Sequence, residues 1–338
     1  MRSSAVVLAT TFAACSSPPG PGIDPPGMQP DGGTIVVDGA TTTDAAPTEP
    51  PPPTRGFRIA SPDVPIYPGD EVTFCYYFQT PNTTELAVKK WASHMTPGSH
   101  HLIVFFTPTM LQRPGTMTAT NCGFGSGGPV WTYSAQTADA ATALPLDDGG
   151  GKPVAQPVKA GQYGFLQVHF LNATDAVIQA HVQLDAFAHD EGVQYTPAGP
   201  FVTFNDRINL APGTPTAPTR GMVSGTCDFR SMAGGPYRFY AMSTHTHKQG
   251  VRAFVTDGSQ MVLDNASWDH PLIRTWDMPF FTFPNSTLTY QCDYVNPNNR
   301  TIVTGNNADT DEMCMVVGYY FPAPGGIGHL CWDEGMVY

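Results

Sequence analysis

Tyr163-Gly164-Phe165-Leu166-Gln167-Val168-His169-Phe170 is the run whose reading decides the fold. It is short, rich in aromatic and β-branched side chains, and soon followed by Asn172. Such a run packs well on a pleated surface and reads as a strand. Similar runs recur at Val72–Phe78, His101–Phe106, Ala180–Leu184, Tyr237–Met242, Gly250–Val255, Thr287–Cys292 and Met313–Phe321. Gly, Pro, Asn and Asp cut between them at roughly ten-residue intervals, the punctuation of an antiparallel sandwich rather than of βαβ units. Glu85–His94 is the one stretch that reads as a helix. A seam falls near Asp190–Pro200. The expected architecture is all-β: two antiparallel jelly-roll-like β-sandwich domains in tandem, 56–195 and 196–338, after a disordered tether.

Composition narrows the function classes. The 338 residues include 34 Gly and 34 Pro, and only 13% are charged. Helical bundles want Ala, Glu, Lys and Leu instead. Lys and Arg number 16 against 28 Asp and Glu, a net charge of −12, so the basic face of a nucleic-acid binder is missing. No apolar run past the N-terminus reaches the twenty or so residues of a membrane span.

The N-terminus reads as an export signal. Arg2 supplies a positive start and Ala5–Ala14 a short apolar core. Phe12-Ala13-Ala14-Cys15 resembles a bacterial lipobox, so 1–14 is expected to be a lipoprotein signal and Cys15 a lipidated residue. Membrane contact would then run through a lipid anchor alone. Residues 15–55 read as a tether; positions 16–55 hold 11 Pro, 6 Gly and no aromatic residue. Such a segment buries too little apolar surface to offset the entropy of ordering. An exported protein sits where disulfides persist, at the cell envelope or surface.

Histidines carry the candidate chemistry. His100 and His101 are adjacent; His169 ends Leu166-Gln167-Val168-His169; His245 and His247 form His-Thr-His. On a strand, residues two apart share a face, so His245 and His247 suit one metal. His100 and His101 share an ion only at a strand end or a bulge, which Pro97-Gly98 permits. Imidazole suits Zn, Cu, Fe and Ni. His94, His181, His189, His270 and His329 have no such company and read as structural or solvated.

In order, His-His, Leu-Gln-Val-His, His-Thr-His and Asp311-Glu312-Met313-Cys314 resemble the type II copper, ascorbate-dependent monooxygenases. These include peptidylglycine α-hydroxylating monooxygenase and dopamine β-monooxygenase. The resemblance spans about Gly56 to the C-terminus, one half for each of two copper domains. It implies a first, electron-relaying copper on His100, His101 and His169. It implies a second, dioxygen-binding copper on His245, His247 and Met313, which form the catalytic set. A thioether beside two imidazoles selects copper over Zn or Mg. The resemblance also implies bridges Cys75–Cys122, Cys227–Cys331 and Cys292–Cys314, which leaves Cys15 for the lipid. Two copper ions per chain, ascorbate or a similar reductant, dioxygen and a small organic substrate follow as expectations, with a wet cleft between the coppers.

The peptide-amidating members hold a substrate carboxylate through an arginine two residues before His-Thr-His, and an asparagine and a tyrosine after the methionine. Those positions here are Ser243, Met315 and Val317, so a neutral or more apolar substrate is expected. Arg238 and Arg252 stand as substitutes for the missing cation, and Tyr240, Trp268 and Trp276 as candidate lining. The competing function is an extracytoplasmic copper-binding lipoprotein, a scavenger or chaperone without turnover.

Overall fold

The computed structural model describes residues 51–119, 122, 128–230, 235–305, 307, 310–332 and 335–337, with the backbone but not the side chain of His100 and of 335–337. The expected signal, Cys15 and the tether as far as residue 50 lie outside the described residues. The described strands belong to one unit, Pro50–Tyr338.

The fold is all-β. Among the described residues there is no α-helix; Pro324–Gly326 is a single 3₁₀ turn. Residues before Ala198 build two main sheets. In one, Leu86–Met95 runs between Val182–Ala188 and Val154–Val158, with Gly56–Ala60 beyond and Asp139–Ala143 also paired to it. The other runs Met117–Thr118, Glu71–Gln79, Tyr163–Leu171, Ser99–Thr107, Val130–Ala135. Residues after it build a second pair. One sheet sets Arg238–His245, Met315–Phe321, Gly199–Phe204 and His329–Trp332 side by side; the other sets Thr219–Asp228, Thr287–Asn296, Gly250–Thr256 and Met261–Asn265. Each pair is a β-sandwich. No strand ladder between described residues joins the two.

Alternation explains the packing. Thr287–Asn296 reads half-buried and buried by turns along its whole length, so Leu288, Tyr290, Cys292 and Tyr294 enter one core. Tyr163–Leu171 is buried on both faces because it is central in its sheet and covered twice. Phe74, Leu166, Val168 and Phe170 face the first core with Trp91. Ile103, Phe105 and Phe165 face a third cluster, which they share with Val202, Phe204, Met313, Met315 and Val317. This third cluster draws on both sandwiches. All three expected bridges are formed, with Cα–Cα distances of 6.0, 6.0 and 5.8 Å for Cys75–Cys122, Cys227–Cys331 and Cys292–Cys314.

The helix expected at Glu85–His94 is instead the strand Leu86–Met95. The register skips Lys89: Phe187 pairs with Lys90 and Ala188 with Val88. This bulge sets the buried Val88 and Trp91 three residues apart, the spacing of a helix face. Pairing on both edges then overrides the helix propensity of Ala, Leu and Lys.

His329 illustrates the cost of burying a titratable group. Its ring lies 5.5 Å from that of Tyr320, and burial pushes its pKa down to about 4. Between pH 6.5, its ordinary value, and pH 4 the unfolded chain binds a proton that the native chain does not. The contribution is intact above pH 6.5 and is lost as pH falls toward 4. We expect the urea midpoint to drop more steeply across this interval in the wild type than in His329→Phe. Equal slopes would contradict the assignment.

Candidate metal centre

His101 and His169 meet across a strand pair. They are direct partners in the antiparallel ladder between Ser99–Thr107 and Tyr163–Leu171, and their ring centroids are 5.2 Å apart. The next rung pairs Phe170 with Ser99, so the register skips His100. A bulge is the backbone device by which adjacent residues share a face. Gly98, at φ 98°, closes the turn that leads into it, and a Cβ there would meet the Leu171 carbonyl at 3.3 Å. The side chain of His100 lies outside the described residues.

His169 is buried, and its Nε2 lies 2.9 Å from Glu71 Oε1. A carboxylate accepts, so Nε2 carries the hydrogen and Nδ1 the lone pair. Burial lowers the His169 pKa, against the opposing pull of Glu71, which keeps the ring neutral as a ligand must be. Glu71 Oε2 also lies 3.5 Å from Lys248 Nζ, one residue beyond His247. One carboxylate thus joins the two histidine-bearing segments.

His245 is the last residue of its strand, opposite Met315; His247 lies in the turn beyond, closed by the Gly250 N–H on the His247 carbonyl at 3.0 Å. Strand alternation therefore does not bring the two together; the turn does, with ring centroids 5.3 Å apart. His247 Nδ1 donates to the Asp311 carbonyl at 3.0 Å, so its lone pair is on Nε2.

Glu312 is fully buried and fastens this turn. Its carboxylate accepts the backbone N–H of Gln249 at 2.7 Å, of His247 at 2.9 Å and of Met313 at 3.2 Å. Burial pushes its pKa up to about 7, against those hydrogen bonds, which favour the charged form. Tyr294 donates to the Met313 carbonyl at 2.9 Å, and the Cys292–Cys314 bridge holds the next residue. Met313 is buried in the shared apolar cluster beside Trp131, whose ring lies 6.1 Å from that of His245.

The two histidine pairs touch. The His101 and His245 centroids are 6.3 Å apart, so four imidazoles stand in a row: His169, His101, His245, His247. Beside this row the two sandwiches share a dry cluster, in which Met313, Met315 and Val317 are buried with Phe105, Trp131 and Phe165. Among the described residues no three His, Cys, Asp or Glu side chains form a ready cage. The first set has only two described side chains, and the third donor of the second set is a thioether. The lone pairs assigned on His169 and His247, and the buried thioether of Met313 in the adjoining cluster, fit copper.

Sequence reasoning missed Glu71, Trp131 and any role for Glu312. A glutamate at the head of the apolar run 313–317, in a chain this poor in charge, is the signal that was available for Glu312. We expect Glu312→Ala to lower unfolding free energy by about 3 kcal/mol or more, since each orphaned buried N–H costs about 1–3 kcal/mol. Glu312→Gln, which keeps one acceptor, should lose less. Urea unfolding of metal-free protein checks the order.

Residues 201–335 match the model of the copper type II ascorbate-dependent monooxygenase C-terminal domain. Among solved structures, one similar chain is described as PBCV-1 VP54 fitted into a cryo-EM reconstruction of the virophage Sputnik. It has a TM-score of 0.27 and 8% identity over 83% of this chain and 96% of that one, and no argument rests on it. Residues 201–335, which carry His245, His247 and Met313, are thus similar to the C-terminal domain of the copper type II ascorbate-dependent monooxygenases.

Proposed function

We propose that the protein hydroxylates a C–H bond of a small organic or peptide-like substrate, using dioxygen and a one-electron reductant such as ascorbate. One oxygen atom enters the product hydroxyl and the other leaves as water, with two electrons from the reductant and two protons. The observation that carries this reading is the row of four imidazoles, whose last member, His247, shares the Glu312 carboxylate with Met313, together with the family match over residues 201–335. His100, His101 and His169 would hold one copper, and His245, His247 and Met313 the other. When bound, copper supplies one-electron transfer and dioxygen activation.

The chain's own residues orient and shield this centre. Glu71 fixes the His169 tautomer, and the Asp311 carbonyl fixes that of His247. Glu312 holds the His247 turn against Met313. Trp131 and Phe105 exclude water around the thioether. Export with a lipid anchor at Cys15 belongs to the same proposal. Its support is the pairing of all six remaining cysteines, the habit of an oxidising compartment.

Metal analysis should find two coppers per chain and ascorbate-driven oxygen consumption. Met313→Ile should abolish that consumption while one copper stays bound. Zinc, or less than one copper, would sink the assignment; two coppers with no oxygen uptake across a C–H substrate panel would favour the scavenger. Glu71→Gln should weaken copper at the first site by about ten- to a hundredfold in chelator competition, the usual effect of losing a carboxylate that orients a ligand histidine. Unchanged affinity would remove Glu71 from the site.

A further inference from the structure

We infer that the substrate is an uncharged, ring-bearing molecule seated in a cleft between the two sandwiches, an inference that rests on the monooxygenase reading. The cleft has a volume of about 350 Å³, near the lower end of small-molecule sites. Ala141, Thr142 and Ala143 line one side; Ala241, Ser243 and Thr275 line the other, and His245 forms part of the wall. A molecule in the cleft therefore lies against one of the row of imidazoles.

Charge decides the class. Among the described residues that line the cleft there is no Lys, Arg, Asp or Glu. The cations that follow or precede His-Thr-His in sequence are engaged elsewhere. Arg238 donates to the Asp148 carbonyl and lies over the Phe321 ring at 4.6 Å. Arg252 makes two 2.8 Å bonds to Asp264 and covers Phe254. Arg274, beside Thr275, donates to the Val262 carbonyl and lies over Trp276. A carboxylate entering the cleft would lose water and gain no countercharge, and an ammonium would meet no carboxylate.

The walls favour a ring. Trp131 and Tyr319 present aromatic surface, with Val317 and Met242 alongside. Tyr240, by contrast, is buried in the core, and Trp276 stacks on Phe281 at 5.1 Å; neither lines the cleft. In the wall, Ile273 is 60% exposed, and its chain neighbour Leu272 is 59% exposed. They are held in place: Asn265 accepts the Leu272 N–H at 2.7 Å and donates to its carbonyl at 3.2 Å. The Ser243 hydroxyl donates to the same carbonyl at 3.0 Å. A fixed apolar lip exposed to water is surface that a ligand covers with gain. Ser134, Gln136 and Thr142 offer neutral hydrogen bonds for orientation.

Binding to the copper-loaded full chain, without reductant, tests this with three probes of one skeleton: phenylacetamide, phenylacetate and phenethylamine. Calorimetry should find phenylacetamide at least about tenfold tighter than either ion, the cost of desolvating an unpaired charge. Two exposed wall positions supply variants that spare the cores. Ala143→Trp should weaken phenylacetamide about tenfold by filling the cleft. Thr275→Arg should improve phenylacetate about tenfold by supplying the missing cation. An ion that binds as tightly as the amide would overturn the inference. So would amide binding indifferent to Ala143→Trp, or no amide binding by about 10 mM. Turnover separates the two readings. Amide bound but never hydroxylated sinks the monooxygenase and leaves the cleft's class standing; oxygen uptake with no preference for the amide sinks the class alone.

Discussion

The apolar seam between the two sandwiches is the constraint on which the rest depends. Met313, Met315 and Val317 arrive from one side, Phe105, Trp131 and Phe165 from the other, and none is more than 7% exposed. No strand ladder crosses this boundary, so burial of side chains does the joining. Because the seam is dry, His101 and His245 come within ring contact, and two histidine pairs distant in sequence form one row. The cleft lies beside this seam, with His245, Trp131 and Val317 in its wall.

Two carboxylates make that arrangement definite. Among the described residues no ion pair to Glu312 is formed; it is held by backbone N–H groups of the turn it organises. Burial raises its pKa, and backbone hydrogen bonds from His247, Gln249, Met313 and Gly250 oppose the rise, so the carboxyl is costly to place and costly to remove. Glu71 works across the seam, with His169 on one oxygen and Lys248 on the other. The first sets the conformation around His247 and Met313; the second ties that segment to the opposite histidine pair.

Much of this was legible in the chain. The strand Tyr163–Leu171 could be read from its aromatic and β-branched run, and the three bridges from the family resemblance. Pro97-Gly98 ahead of two histidines permitted a strand end or a bulge, and the ladder skips His100. Leu86–Met95 read wrongly because a bulge at Lys89 mimics helical spacing, and only its partners reveal that. The rings of His245 and His247 do lie close, but through a turn rather than strand alternation, since the strand stops at the first of them. Arg238 and Arg252 looked available in sequence, but Phe321 and Asp264 hold them away from the cleft.

By itself, the sequence determined the all-β class, because strand patterning is a property of short segments. It also determined which positions near His-Thr-His lack charge. The tertiary structure decided what those segments meet: that Met313 lies in a shared core, that Trp131 stands beside His245, and that Glu71 serves both halves. Such contacts join residues more than a hundred positions apart, and their energy comes from water excluded when surfaces close, which no local pattern records.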